Sequence, residues 1–167
     1  ITVRPQPRLE LDYFLPRDVY ADDPFTPETE PSEPFTLGVR VKNAGAGPAN
    51  KVSIESAQPK IVENAQGLLI GFQIDGSFVQ DQPTQNTLQI DFGDIAPNRT
   101  KAGRWVMSTT LSGRFSEFAA EYTHDDALGG AVTSLLQRVT THTLLKDVRV
   151  DLPGRDGIRD FLARDGD

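Results

Sequence analysis

The chain has 167 residues, of which 37% are hydrophobic and 25% charged, and it carries a formal net charge of -7 with no cysteine. This length fits one domain, and the apolar content is enough for a core, so the composition excludes a disordered chain. The acidic balance disfavours nucleic acid as a partner, and the absence of cysteine excludes disulfides and thiolate metal sites.

No stretch of the sequence has the length of a membrane-spanning helix. Such a helix needs about 18 consecutive apolar residues, whereas the longest apolar cluster, residues 68–72, is already interrupted by Gly71. We therefore expect no membrane insertion. The first residue is Ile1, and no signal-peptide pattern precedes the first predicted strand, so we interpret the chain as a piece of a longer protein.

Two-residue alternation of apolar and polar side chains predicts the first strands. Residues 9–13 alternate in this way, and the clearest alternation lies in residues 35–41, where every second residue is apolar. Residues 43–50 are rich in turn formers, and Val52 and Ile54 then begin a partner strand. Half-buried strands joined by short turns are therefore expected in the first third of the chain.

The same alternation continues toward the C-terminus. Further strands are predicted in residues 68–74, 88–92, 105–107, 118–122 and 136–152. Helical periodicity is scarce throughout. The sequence therefore predicts an all-β fold, an Ig-like sandwich of two sheets with about 7 to 9 strands.

Two segments depart from this pattern. Residues 16–34 combine prolines with acidic residues, a composition unsuited to an interior strand, and we expect either an exposed loop or a segment that follows the edge of a sheet. We call this segment the acidic loop. Residues 155–167 are mostly charged, and Ile158, Phe161 and Leu162 are apolar at helical spacing. We therefore expect a β-sandwich domain over residues 1–154, followed by a charged linker with one helical turn.

Residues 35–54 carry a resemblance to a known family. They read FTLGVRVKNAGAGPANKVSI, an alternating strand followed by Asn and small turn residues and then a short partner strand. This pattern resembles the cell-adhesion-related (CARDB) and similar Ig-like repeats of bacterial surface proteins, and residues 92–100, FGDIAPNRT, look like a later corner of the same fold. The resemblance implies a modular, non-enzymatic spacer or adhesion domain that occurs in tandem with others.

Catalytic motifs are weak. Residues 45–50 resemble the start of a dinucleotide-binding glycine motif, but Asn50 replaces the third glycine and a strand follows, so a hairpin turn is the better interpretation. His124, Asp125 and Asp126 form a cluster that could bind a metal or act as a base; we favour a polar loop because no second ligand pair stands at metal-site spacing. We therefore predict that the protein is not an enzyme.

The acidic loop is the candidate metal site. Its carboxylates could supply oxygen ligands to calcium, and the candidate ligands are Asp18, Asp22, Asp23 and Glu28. No EF-hand motif is present, so we favour a solvated loop and expect calcium binding to be weak or absent. No other cofactor is expected.

Together these features predict a structural or adhesion module that spaces or orients neighbouring domains of a bacterial extracellular or cell-surface protein. A carbohydrate-binding accessory module of a secreted glycan-active enzyme is the alternative, so a protein or glycan ligand remains open as a partner besides the neighbouring domains. The alternative requires exposed aromatic side chains, for which the candidates are Tyr13, Tyr20, Phe25, Phe78 and Tyr122. Trp105, between Arg104 and Val106, is expected in the core.

Overall fold

A computed structural model describes residues 5–61, 70–123 and 136–164. The secondary structure of these residues is entirely β. The strands are β1 (Leu9–Leu15), β2 (Asp18–Val19), β3 (Phe35–Asn43), β4 (Ala49–Ile61), β5 (Phe72–Val79), β6 (Gln82–Pro83), β7 (Ile90–Ile95), β8 (Thr100–Thr109), β9 (Gly113–Thr123), β10 (Leu136–Val148) and β11 (Asp160–Ala163). The described residues contain no helix that could cross a membrane.

The strands form two sheets. The larger sheet has seven strands in the order β11-β10-β1-β3-β8-β5-β6, and the smaller has four in the order β2-β9-β4-β7. This arrangement confirms the predicted all-β sandwich. The order β1-β3-β8-β5 opposite β9 and β4 corresponds to the A-B-E-D strands of an Ig sandwich opposite F and C. The described residues form eleven strands, more than the 7 to 9 expected. Two of these strands, β2 and β6, have only two residues each.

The alternation that predicted the strands also selects the core. In β3, Phe35, Leu37, Val39 and Val41 are all buried, while the charged side chains of Arg40 and Lys42 lie on the opposite face. Trp105 of β8 is fully buried, as expected, and its indole nitrogen donates a hydrogen bond of 2.9 Å to the carbonyl of Thr87. The core therefore lies between the two sheets, where burial of apolar surface stabilises the fold.

The connection from β3 to β4 is a turn between the sheets. The hairpin expected there is wrong, because β3 belongs to the larger sheet and β4 to the smaller one. The fully buried side chain of Asn43 organises this turn: its amide nitrogen donates to the carbonyls of Gly47 (2.8 Å) and Ile95 (3.0 Å). Its carbonyl oxygen accepts from the backbone nitrogens of Arg8 (3.2 Å) and Gly45 (3.0 Å).

The first strand and the last long strand lie side by side. Strand β1 pairs with β3 in antiparallel orientation and with β10 in parallel orientation, from Leu9 beside Leu136 to Leu15 beside Thr143. Strand β11 then pairs antiparallel with the other side of β10. The helical turn expected in this region is wrong, because Phe161 and Leu162 belong to β11. A role of residues 155–167 as a link to a neighbouring domain stays a prediction.

The acidic loop follows the edge of the smaller sheet. Strand β2 pairs with β9, and the backbone of Ala21 exchanges hydrogen bonds with the hydroxyl of Ser112, at 2.8 Å and 2.6 Å. Val19 and Ala21 are buried, whereas every residue from 24 to 34 is exposed. The loop is therefore attached to the sandwich at its first part and open to solvent in the rest.

Candidate functional site

The face of the larger sheet that points away from the smaller sheet carries most of the polar contacts described below; we call it the outer face. In β1, Leu9, Leu11 and Tyr13 point into the core, so by alternation Asp12 and Phe14 point to the outer face. Both are nevertheless buried, at 4% and 6% exposure. Side chains and a chain segment must therefore cover this face.

Asp12 lies among basic side chains. Arg40 of the neighbouring β3 contacts its Oδ2 at 2.7 Å, while His142 of β10 contacts its Oδ1 at 3.4 Å and Arg138 lies at 3.8 Å from the same oxygen. These side chains meet because β3 and β10 lie on either side of β1. The cluster therefore joins three adjacent strands through a single carboxylate.

The pKa of Asp12 reflects this environment. Burial alone would raise the pKa, because a buried carboxylate loses hydration. Hydrogen bonds from Arg40 and His142 and the charges of both side chains act in the opposite direction, and the resulting pKa lies below its ordinary value of 3.8. Asp12 is therefore ionised at neutral pH and holds its neighbours electrostatically.

Residues 156–163, which we call the C-terminal strap, cover the outer face. The ring of Phe161 stacks on Phe14 with centroids 4.8 Å apart, and the ring of His142 also stacks on Phe14 at 5.1 Å. Gly38 of β3 makes room for the strap: a Cβ atom at this position would lie only 2.5 Å from the Phe161 ring. A glycine at position 38 is therefore required by the close approach of an aromatic side chain.

The strap is also held by polar contacts at both sides of the sheet. The backbone nitrogen of Arg159 donates to Asp81 at 2.8 Å, and its guanidinium donates to Asp147 of β10 at 3.3 Å. Asp81 lies in the turn between β5 and β6 and also pairs with Arg104 at 3.4 Å. Arg104 in turn covers the ring of Phe78, with its guanidinium carbon 3.9 Å from the centroid.

A cleft of about 370 Å³ lies between the strap and the sheet. Its walls combine aromatic, apolar, cationic, acidic and amide side chains, contributed by Phe14, Arg40, Gln80, Thr100, Ala102, Asp156, Ile158, Arg159, Asp160 and Phe161. The volume is within the range of small-ligand sites, about 300 to 1,000 Å³. The cleft is the candidate functional site, and a single segment of chain, the strap, closes one side of it.

Three of the four candidate calcium ligands already accept hydrogen bonds within the protein. Asp18 accepts a hydrogen bond from Arg114 at 2.7 Å, and Asp22 accepts one from the backbone nitrogen of Glu30 at 3.0 Å. Asp23 accepts one from the backbone nitrogen of Phe25 at 3.0 Å, and Glu28 is exposed. Within residues 5–61, 70–123 and 136–164, no three acidic or histidine side chains form a group that could hold a metal ion. That calcium binding is weak or absent, and would use these acids if it occurs, stays a prediction.

The candidate sugar-binding aromatics are dispersed. Tyr13 is fully buried, and burial raises its pKa, so its candidacy as an exposed platform is wrong. Phe78 lies beneath Arg104. Tyr20 and Phe25, both in the acidic loop, are 59% and 63% exposed. The side chain of Tyr122 and the whole His124-Asp125-Asp126 cluster lie outside the described residues.

The sequence contained only indirect signs of the strap. Gly38 lacks a side chain in the otherwise polar row of β3 that contains Thr36 and Arg40, and Phe161 and Leu162 are large apolar residues in a charged segment. A four-residue strand is too short for a periodicity argument to separate it from a helical turn. Comparisons of the chain with protein-family models, with curated proteins and with solved structures found no match.

Proposed function

We propose that this chain is a non-catalytic structural or adhesion module that spaces or orients neighbouring domains of a bacterial extracellular or cell-surface protein. The parallel pairing of β1 with β10 is the observation that carries the proposal. The chain enters β1 at Leu9. It leaves β11 at Ala163, which lies beside Leu144 of β10 and is therefore level with the Leu15 end of β1. A rise of about 3.3 Å per residue separates these two levels by roughly 20 Å along the strands.

This geometry supports a spacer because the strands at the two ends are both hydrogen-bonded to β10. A neighbour attached before β1 and another attached after β11 are then held by one sheet. The resemblance of residues 35–54 to CARDB-type repeats agrees with this use, and the neighbouring domains are the proposed partners. The same resemblance is the basis for proposing an extracellular or cell-surface location.

The spacing can be measured directly. Two fluorescent proteins fused to the two ends of the chain should give a narrow distribution of energy-transfer distances. The matched control joins the same fluorescent proteins through a flexible Gly/Ser linker of equal length, which should give a broad distribution. A distribution for the protein as broad as that of the linker would contradict the spacer function.

Absence of catalysis is part of the same proposal. We expect no turnover of a panel of ester, peptide and glycoside substrates, because the sequence lacks a recognisable nucleophile motif or closed metal-ligand set. Turnover that disappears in the His124→Ala variant would contradict this expectation.

Tyr20 and Phe25 support a second candidate, a carbohydrate-binding accessory module. Exposed aromatic rings are the usual platform on which sugars stack, and both rings are more than half exposed on one loop. Affinity electrophoresis in gels containing soluble glycans tests this function. Retardation that is lost in Tyr20→Ala and Phe25→Ala but kept in Leu152→Ala, an exposed non-aromatic control at 62%, would favour sugar binding over the spacer.

A further inference from the structure

The strands on the two sides of β10 are attached to it in opposite directions. Strand β1 is parallel to β10 and β11 is antiparallel to it. We propose, as an extension of the proposed spacer function, that the C-terminal strap is a force-releasable cover. Tension along the chain detaches β11 from β10 before it loads the ladder between β1 and β10.

The ladder between β1 and β10 resists tension by shear. The pairing is regular from Glu10 beside Arg138 to Leu15 beside Thr143, and the bonds of a parallel ladder are evenly spaced. When β1 is drawn toward its own beginning and β10 toward its own end, the two strands slide along each other. All of the ladder bonds then carry the force together, and none can break without the others.

The pairing of β11 with β10 resists the same tension far less. Asp160 lies beside Val148 and Ala163 beside Leu144, and the backbone nitrogen of Arg164 donates to Thr143 at 2.9 Å. When the chain after Arg164 is pulled toward the C-terminal end of β10, β11 folds back on itself. The bonds then break one at a time, beginning at Arg164, so the force required is that of a single pair.

Two attachments set the force at which the strap leaves. Phe161 packs on Phe14 in the space above Gly38, and Arg159 contacts Asp81 and Asp147. Phe161 and Arg159 precede Ala163 and Arg164 in the chain. They therefore bear the tension only after Ala163 and Arg164 have detached. The packing of Phe161 and the ion pairs of Arg159 should therefore determine the release force.

Release changes the surface of the protein. It uncovers the edge of β10 at residues 144–148 and the outer face at Phe14, both of which β11 covers at rest. An uncovered sheet edge accepts an extended strand from another segment. The freed residues 149–164 also add about 55 Å of chain at roughly 3.3 to 3.6 Å per residue. Tension would thus lengthen the spacer and expose a strand-acceptor edge while the sandwich stays folded.

Single-molecule force spectroscopy on the full chain, held by handles at its two ends, tests the proposal. We expect a reversible gain of about 55 Å in contour length at low force, followed by one larger unfolding event at higher force. The chain has no cysteine, and Leu144 and Ala163 lie directly opposite each other, so the double variant Leu144→Cys/Ala163→Cys can lock the strap with a disulfide. Oxidation should abolish the early extension, and reduction should restore it.

Point variants identify the attachments. Phe161→Ala should lower the force of the early extension and leave that of the main event unchanged. Leu162→Ala is the matched control, because Leu162 lies in the same strand and is 54% exposed; it should leave both forces unchanged. Unfolding in a single step, or an early extension that persists in the oxidised double variant, would overturn the proposal. The energy-transfer measurement tests the spacer function independently. A narrow distance distribution without an early extension would support the spacer function and contradict only the proposal that the strap is released by force.

Discussion

Arg40 holds one carboxylate oxygen of Asp12 with two guanidinium nitrogens, Nε at 3.1 Å and Nη2 at 2.7 Å. The two partners differ in exposure, because the Asp12 side chain is 5% exposed and that of Arg40 is 52% exposed. Arg40 can hydrate when the pair is broken, whereas Asp12 cannot without a change in the sheet. Breaking this contact is therefore unfavourable chiefly because it leaves the buried carboxylate of Asp12 without its partner.

Asp12→Asn should lower the free energy of unfolding by about 1 to 3 kcal/mol, because it replaces charge-assisted hydrogen bonds at a buried position. Urea denaturation measures this loss. The matched control is Glu10→Gln in the same strand. Glu10 contacts Lys42 at 3.5 Å and Arg138 at 3.9 Å, and both cations are exposed. Glu10→Gln should lower the free energy of unfolding by less than about 1 kcal/mol. Equal losses in the two variants would contradict the special role of Asp12.

The lowered pKa of Asp12 predicts how stability depends on pH. A group whose pKa is lower in the folded than in the unfolded state stabilises the fold above its unfolded value, here an ordinary 3.8, and loses that effect as the pH falls through the folded value. The difference in urea midpoint between the wild type and Asp12→Asn should therefore be constant near neutral pH and shrink below about pH 4. A difference that does not change down to about pH 2 would show that ionisation of Asp12 contributes nothing.

Gly38→Ala should destabilise the protein by about 1 to 3 kcal/mol, because the added methyl group overlaps the ring of Phe161 and the strap must shift. In the Phe161→Ala background the same change should cost much less, since the ring is gone. A double-mutant cycle by urea unfolding gives this coupling. Gly71→Ala is the control: Gly71 is exposed, and its Cβ would meet only the side chain of Thr110. Additive losses at positions 38 and 161 would contradict the contact.

Asn43→Ala should be among the most damaging single substitutions in the described part of the chain. It leaves the carbonyls of Gly47 and Ile95 without a donor at a fully buried position, and each unsatisfied buried group costs about 1 to 3 kcal/mol. Asn86→Ala is the control, because the Asn86 side chain makes one exposed hydrogen bond, to Asp75 at 3.2 Å. A thermal midpoint for Asn43→Ala equal to that of the control would show that the turn does not depend on this side chain.

Calcium should raise the thermal midpoint by little or nothing, because Asp18, Asp22 and Asp23 already accept hydrogen bonds within the protein. Any rise that calcium produces should disappear in Asp22→Asn/Asp23→Asn. Calorimetric titration of the metal into both proteins gives the affinity. Tight binding that survives in the double variant would place the ion elsewhere in the chain.

The sequence was sufficient to predict the strands that border the core. In β3 and β7, alternation of apolar and polar residues carries the information, because one face of such a strand is buried and side chains alternate between faces. Trp105 could be assigned to the core for the same reason. The acidic loop followed from its prolines and charges, and residues 24–34 are indeed exposed.

The candidate site could not be predicted in the same way. Tyr13 belongs to the alternating pattern of β1 and is buried in the core, so its identity as an aromatic was a misleading sign of a sugar platform. Phe161 and Arg159 contact residues that are far away along the chain, Phe14, Asp81 and Asp147 among them. Local periodicity holds no information about such contacts.

By itself the sequence determined that this protein is an all-β sandwich, because a buried face repeats every second residue along each strand and is visible locally. Only the tertiary structure decided that β1 lies parallel to β10, that Gly38 accommodates Phe161, and that the C-terminal segment is a strand and not a helical turn. Residues 160–163 pair with a strand whose identity and direction depend on the whole chain, and a segment of four residues adopts the conformation that its neighbours stabilise.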